Sequence, residues 1–503
     1  MQGRFVNELA QLCRQTLGRE GPAIRFEGAW IGWAEVRRIA ASLEAALDEA
    51  GIAPGTPIAF APRNSPASLA GFLPLLARGH VIRMVYPFQS PEALAGVLGA
   101  LDCAVVIAES MDCTELVRER LQAAGQGLIA LSGEGAALVH RGAEIPTAAP
   151  PSPRIEILTS GTTGPPRHFP IGYDVVLGYA RAAAAQAQAH NEPPPMLLCF
   201  PLSNISGLYA LAASFLRGAP CVLLERFSVA AWRDYVVEYR PASGGAPPAA
   251  VAMILAADIP RQDLASLLWF STGAAPLDPA VRQAFEERYG IPVIQTYGAT
   301  EFGGPVAANS PALLAQFGSA KANSVGRALP GAALRVRDPA TGELAPPGTV
   351  GIVEVVSPRM GPDWIVTADL GLIDEDGFLF LHGRDDGAIM RGGFKIVPET
   401  VEQALLRHPA IAAASVVGIA DPRLLEVPAA ALELAAHAAQ PSQDELEAHV
   451  RRSLPATHVP VAWRFVEELP KTVSFKIDRR AVRALFEGAD EGAASPPTSS
   501  PCR

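Results

Sequence analysis

"LTSGTTGPPRH", residues 158–168, is the stretch on which the reading of this 503-residue chain turns. It follows the extended run "RIEI" and packs four hydroxyls and two glycines into a loop. Backbone N–H groups and hydroxyls in such a loop can wrap phosphate oxygens, and Arg167 adds a fixed positive charge. It is not a Walker motif: no Gly-Lys-Ser/Thr follows, and Pro165 and Pro166 prevent immediate entry into a helix. Taken alone, a Ser/Thr/Gly loop is more often only a loop, so its meaning depends on what surrounds it.

Upstream, helical and extended signals alternate. "AEVRRIAASLEAALDEAG" has the period of an amphipathic helix stopped by Gly51, "TPIAFAP" reads as a strand, and "SPASLAGFLPLLARG" opens with a Ser cap and a Pro in the first turn. "HVIRMVYPF" and "CAVVIAES" supply further strands around "SPEALAGVLGAL". Downstream, "MLLCF", "APCVLL", "LLWFS" and "IPVIQT" continue the pattern. This βαβ organisation predicts largely parallel sheets covered by helices. From Ser324 to Gly383 the texture changes to "ALRVRD", "TVGIVEVVS" and "GFLFLHG" with "DEDG" turn signals, as expected of hairpins. After Arg384 a smaller unit follows, with the hairpin-like "GAIMRGGFKIV" and then helix, strand, helix and strand.

The expected architecture is therefore α/β. Residues 1–383 form a large N-terminal domain with a β-rich subdomain, residues 384–487 form a small α+β domain, and the Ser/Pro/Ala-rich residues 488–503 form a disordered tail. A composition of 49% apolar and 18% charged residues is that of a globular protein, and the net charge of −10 argues against nonspecific nucleic-acid binding. The six cysteines show no metal-ligand spacing and read as thiols of a reducing compartment. With no signal-peptide core and no apolar run long enough to span a bilayer, a cytoplasmic protein is the expectation.

Two further stretches carry chemistry. In "QTYGATEFGG", residues 295–304, an aromatic, a hydroxyl and an acid follow a strand: Tyr297 is suited to stacking on a base, Thr300 to bonding a phosphate, and Glu301 to Mg²⁺. In "LPKTVSFKIDRR", residues 469–480, lie two of only four lysines, against 37 arginines. A chain that almost always chooses Arg thus keeps Lys471 and Lys476 in one short segment.

"TSGTTGPPR", "STGAAPL", "YGATE", "TADLG", "GRDDGAIMRGGFKIVPETVE" and "PKTVSFK" occur in the order and spacing of the adenylate-forming superfamily, the acyl- and aryl-CoA synthetases, adenylation domains and beetle luciferases. The chain resembles that superfamily over about residues 25–485, and most resembles its acyl- or aryl-CoA ligases. The resemblance implies a reaction in two halves: a carboxylate attacks the α-phosphate of Mg·ATP to give an acyl-adenylate and pyrophosphate, then a thiol, usually coenzyme A, displaces AMP. It places Thr159, Ser160, Gly161, Thr162, Thr163 and Gly164 in the phosphate loop with Arg167. Gly273 and Ala274 fall along the adenine, Gln295 near its amino group and Tyr297 stacked on it. Thr300 falls on the α-phosphate, Glu301 on Mg²⁺, and Asp369 and Arg384 on the ribose hydroxyls.

By the same resemblance Lys476 is the catalytic lysine, Asp386 the hinge about which the small domain rotates, and Gly392 and Gly393 the wall of a thiol tunnel. A slim arm ending in a compact charge enters a crowded site between two anions, where a planar guanidinium needs more room. Asn204, Gly207, Thr272, Gly273, Gly303 and Gly304 line the acid pocket by position, and the small residues of "EFGGPVAAN" predict a roomy or flat one. No acid stands in "PLSNISGL" to hold an ammonium, which favours a non-amino carboxylic acid. Departures from the pattern are Phe475 where Gly usually precedes the lysine, Ala368 within the usual "TGD", and Asn204 where a His is common. Two alternatives stay open, an acyl-AMP ligase loading a carrier-protein phosphopantetheine and a degenerate, non-catalytic nucleotide-binding protein. A homodimer is compatible with the resemblance.

Overall fold

The computed structural model describes residues 2–143, 152–159, 167–187, 194–273, 277–339, 341–384, 387–435, 438–470 and 477–487. The chain divides into two compact units, Met1–Asp386 and Gly387–Arg503.

The first unit holds a seven-stranded sheet whose five inner strands run parallel, in the order Gly127–Ser132, Val105–Glu109, Pro57–Ala61, Val81–Met84 and Arg154–Thr159. An antiparallel strand closes each edge, Gly135–His140 on one side and Arg167–Gly172 on the other. The latter pairing sets Thr159 opposite Arg167, and among the described residues the next helix is Tyr173–Ala187. Helices Trp33–Glu49 and Pro66–Ala77 cover the sheet with Trp33, Leu43, Phe72 and Leu73, all buried.

Local signals account for many helix starts. Ser65, Ser90 and Ser310 each precede a Pro at the first helical position, and each hydroxyl accepts the N–H three residues on. Such a cap is worth about 1 kcal/mol, and Pro there gives up no helical hydrogen bond.

A second sheet orders Met196–Leu198, Cys221–Leu223, Pro22–Phe26 and Ala29–Gly32. A third orders Ser243–Gly245, Trp269–Gly273, Val293–Ala299, Gly304–Ala308 and Arg327–Ala328, its first three strands parallel. Phe270, Phe285 and Trp232 fill the core beneath it, each buried aromatic contributing about 1.5–3 kcal/mol. The β-rich part is an antiparallel sheet of Ala333–Arg337, Gly351–Val356, Ile365–Ile373 and Leu379–Arg384. Beside it the Lys321 ammonium sits between Asp374, at 2.5 Å, and Asp376, at 2.7 Å, and this pairing raises its pKa above the ordinary lysine value.

In the second unit the hairpin Ile389–Arg391/Phe394–Ile396 leads into helix Pro398–Leu406 and a long hairpin of Ile411–Asp421 and Leu425–Leu434. Strand Ala462–Phe465 adds in parallel, and helix Gln443–Arg451 packs Leu446 and Val450 into the core.

Five cysteines are buried free thiols, with values pushed up by burial to about 11 for Cys103 and Cys113 and about 12 for Cys13 and Cys199. No helix among the described residues is long and apolar enough to cross a membrane.

His80 is fully buried, with Nδ1 2.9 Å from the Thr56 carbonyl, and burial lowers its pKa to about 4. The unfolded chain therefore takes up a proton near pH 6.5 that the folded chain refuses until about pH 4. This contribution to stability is fully present above the unfolded value and is lost as the pH falls towards the folded one. Between pH 7 and 5 the wild type should lose about 2 kcal/mol more than His80→Asn, read from urea unfolding at the two pH values. Parallel slopes would show that His80 titrates normally.

Candidate active site

Strands Trp269–Gly273 and Val293–Ala299 run parallel, and the residues at their carboxyl ends are those singled out in the sequence. In α/β sheets ligands bind outside those ends. Gly273 lies opposite Thr296, and a Cβ there would stand 2.2 Å from the Thr296 hydroxyl, so the neighbouring strand itself requires glycine. Gln295 is buried one position earlier, opposite Thr272. Thr272 is also buried, and its hydroxyl donates to the Ala246 carbonyl at 2.9 Å. It ties two strands together, a structural role beside the acid-pocket role expected of it.

Tyr297, Asp369 and Arg384 come from three strands. The Tyr297 hydroxyl donates to Asp369 Oδ2 at 2.5 Å, and Asp369 lies directly opposite Arg384 in the antiparallel register. The Tyr297 ring is 6% exposed and packs at a tilt against Phe302, with centroids 5.6 Å apart, so it is less openly displayed than a stacking platform read from sequence suggests.

Thr300 and Glu301 open the 3₁₀ turn Thr300–Phe302, fixed by Gly303 N–H donating to the Thr300 carbonyl at 2.9 Å. Glu301 is half-buried and has no hydrogen-bond or ion-pair partner among the described residues. No cluster of three or more His, Cys, Asp or Glu that could hold a metal occurs there either. The Glu301 carboxylate is the kind of hard oxygen donor that would hold a Mg²⁺ ion, which would neutralise charge on a bound phosphate.

The acid-pocket residues differ most from expectation. The Asn204 side-chain oxygen accepts the Gly207 N–H at 2.8 Å and caps helix Ile205–Ala213. A Cβ on Gly207 would stand 2.1 Å from the Pro201 carbonyl oxygen, so that glycine accommodates backbone. Gly303 and Gly304 have φ of 66° and 110°, which favour glycine, and the space beside Gly304 is bounded by aromatic rings, closer to the flat than to the roomy of the two pocket shapes expected. A Cβ on Gly304 would stand 2.6 Å from the Tyr209 ring and 3.0 Å from the Tyr179 hydroxyl. The two tyrosine rings stack at 3.7 Å and 15°, and the Tyr209 hydroxyl donates to the Gly303 carbonyl at 2.6 Å. Arg359 Nε donates to the same carbonyl at 3.0 Å, and its guanidinium lies 5.6 Å from the Tyr179 ring centroid. Sequence reasoning missed these three. The available signal was Tyr209, on the helix that "PLSNISGL" begins.

In the second unit Gly392 and Gly393 form the tip of the short hairpin, with φ of 56° and 94°. Gly392 N–H donates to the Leu424 carbonyl at 2.9 Å, while Arg391 reaches the carbonyls of Thr457 at 2.6 Å and Val459 at 3.3 Å. His458, also on this turn, is held neutral by burial, which lowers its pKa to about 4, with Arg391 adding to the effect. Ser160 to Gly164, Ala274, Asp386, Phe475 and Lys476 lie outside the described residues; Thr159, Arg167 and Arg384 are described as strand positions. The Lys476 segment is bracketed by Asp478 N–H donating to the Pro470 carbonyl at 2.8 Å. Apart from this site, a cavity of about 570 Å³ lined in part by Trp30, Ile31 and Glu109 contains none of the candidate residues.

Parallel strands ending in the Gln295–Glu301 segment, a tyrosine–aspartate bond across to the β-rich sheet, and a separate small unit together define an adenylate-forming enzyme. The profile of the AMP-binding enzyme family matches residues 14–362, and that of the AMP-binding enzyme C-terminal domain matches residues 400–476. The chain belongs to this family.

Among its relatives, a sulfoacetate–CoA ligase from Cupriavidus necator is 29% identical over 86% of this chain and 87% of its own length. A fatty acid–[acyl-carrier-protein] ligase, ScoC, from Streptomyces coeruleorubidus is 27% identical over 93% and 94%. Among solved structures, the amide bond synthetase McbA from Marinactinospora thermotolerans superposes with a TM-score of 0.80 at 28% identity, covering 95% of this chain and 99% of that one.

Proposed function

We propose that this protein is an ATP-dependent acid–coenzyme A ligase that works through an acyl-adenylate. The observation that carries this reading is the Tyr297–Asp369–Arg384 arrangement, in which distant segments meet where a nucleoside would sit. A carboxylate accepts two hydrogen bonds and so suits the paired hydroxyls of a ribose, and the Tyr297 bond fixes its orientation. Attack of one anion on another is held back by charge, so cations aimed at the developing phosphorane supply much of the rate. In this reading Thr159 to Gly164 and Arg167 hold the phosphates, Gly273, Ala274 and Gln295 the adenine, and Thr300 and Lys476 the reacting α-phosphate. Mg²⁺ held by Glu301 neutralises phosphate charge when bound.

The small unit would serve both half-reactions. Lys476 enters for adenylation; rotation about Asp386 then withdraws it and presents Gly392 and Gly393 to the incoming thiol. The division of the chain at Asp386/Gly387 supports a hinge there. Arg391 holds that hairpin through the 456–459 turn, and its loss leaves half-buried carbonyls without this donor at a cost of about 1 kcal/mol. Arg391→Gln should slow acyl transfer to the thiol about tenfold and leave pyrophosphate release within about twofold. Stopped single-turnover assays of the two halves check this, and equal losses in both would contradict it.

The acceptor read first is coenzyme A, as in the name of the sulfoacetate ligase; the carrier-protein relative and the amide synthetase make a carrier thiol and an amine the alternatives. Pyrophosphate and AMP release over a panel of carboxylic acids, with and without CoA, decides among them. Multiple turnovers that need both an acid and CoA are expected. An acid-dependent burst that CoA does not convert to turnover would overturn the choice of acceptor, and a carrier protein and simple amines would then be tried.

A further inference from the structure

We infer that the acid activated here is compact and carries a second anionic group, and that Arg359 is the side chain that reads it. This rests on the acid-activating function proposed above. The Tyr179–Tyr209 stack lies directly on Gly304, so an acid entering beside Gly303 and Gly304 meets a wall of aromatic ring where a long acyl chain would need a channel. Arg359 closes the same end. Its Nε and one Nη donate to the Gly303 and Pro305 carbonyls, which fix the guanidinium without neutralising it.

Several buried or half-buried arginines of this unit are paired with acids, among them Arg63 with Asp112, Arg83 with Glu156 and Arg335 with Glu354; Arg217 and Arg327 are not among the described ion pairs either, but neither lies at the acid pocket. Arg359 has no acidic partner among the described residues; it meets the Gly303 and Pro305 carbonyls and the two tyrosines, Tyr179 and Tyr209, all of them uncharged. A partly desolvated cation without a counter-ion favours an anion brought to it by the ligand, and a guanidinium with N–H groups to spare suits a planar carboxylate. The pocket would thus hold one carboxylate at the α-phosphate and a second anionic group at Arg359, with the stacked tyrosines limiting the distance between them.

The test compares succinate with butanoate and phthalate with 2-methylbenzoate as acids for pyrophosphate release by the full chain. The wild type should favour the diacid of each pair by at least about 30-fold in kcat/KM. Arg359→Gln should reduce that preference to within about threefold, chiefly through a raised KM for the diacids; Arg359→Lys should keep part of it. A wild type that prefers the monoacids, or a variant that slows all acids alike, would overturn the inference.

Thermal-shift titration with the same acids separates this from the function itself. Tm raised by succinate in the wild type and not in Arg359→Gln, with no pyrophosphate released from any acid, would sink the ligase reading and keep the anion site. Turnover confined to monoacids would do the reverse.

Discussion

Asp369→Ala is expected to lower kcat/KM for ATP in pyrophosphate release by about 10²–10³-fold, with most of the loss appearing as a raised KM for ATP. Hydrogen bonds to a charged acceptor are worth about 1.5–3 kcal/mol each, and a ribose offers two hydroxyls. The substitution also strips the Tyr297 hydroxyl of the acceptor it reaches at 2.5 Å. A structural loss and a binding loss are separable here. Asp369→Asn keeps the shape and one acceptor oxygen, so it should recover thermal stability but little of the ATP affinity. The result that would remove Asp369 from the nucleotide site is a KM for ATP within about threefold of wild type in a folded Asp369→Ala protein.

The second large effect concerns Lys476. Lys476→Ala should slow adenylation by about 10³-fold and leave transfer from a pre-made acyl-adenylate to the acceptor within a few-fold, because the amine is assigned to the first half-reaction alone. Lys476→Arg should not restore the rate, since the guanidinium fork demands more space than a compact ammonium. Phe475 beside it adds bulk on the same segment. A rapid adenylation burst in Lys476→Ala would show that another cation acts on the α-phosphate.

The parts of the fold legible in the sequence were those written locally. The Ser-Pro helix start at 65, the glycine stop at Gly51, and the apolar strands of the inner sheets announce themselves within a few residues. Strand Leu425–Leu434 did not: "LEVPAAALEL" is rich in alanine and contains Pro428, yet it pairs along its whole length with Ile411–Asp421. Tertiary pairing there overrides weak strand propensity. The opening helix Gln2–Leu17 was compared only with the pattern of a signal peptide and not read as a helix, although it buries Leu9 and Cys13.

The candidate site divides in the same way. Glycines and acids in short motifs could be placed by pattern, whereas Tyr179, Tyr209 and Arg359 lie in three separate segments and meet only in the folded chain. Gly207 and Gly304 show the limit of reading small residues as empty space, because each makes room for the protein itself.

The Lys321 ammonium bound between Asp374 and Asp376 gives the protein an unusual chemical address. Amine-reactive reagents attack only the neutral form, and this one is held charged. The other three lysines, Lys395, Lys471 and Lys476, all belong to Gly387–Arg503. Among the lysines, mild acylation or enzymatic acetylation would therefore mark chiefly those of the small unit. Peptide mapping of such marks at each stage of turnover would make the native side chains a reporter of domain position, with no label engineered in.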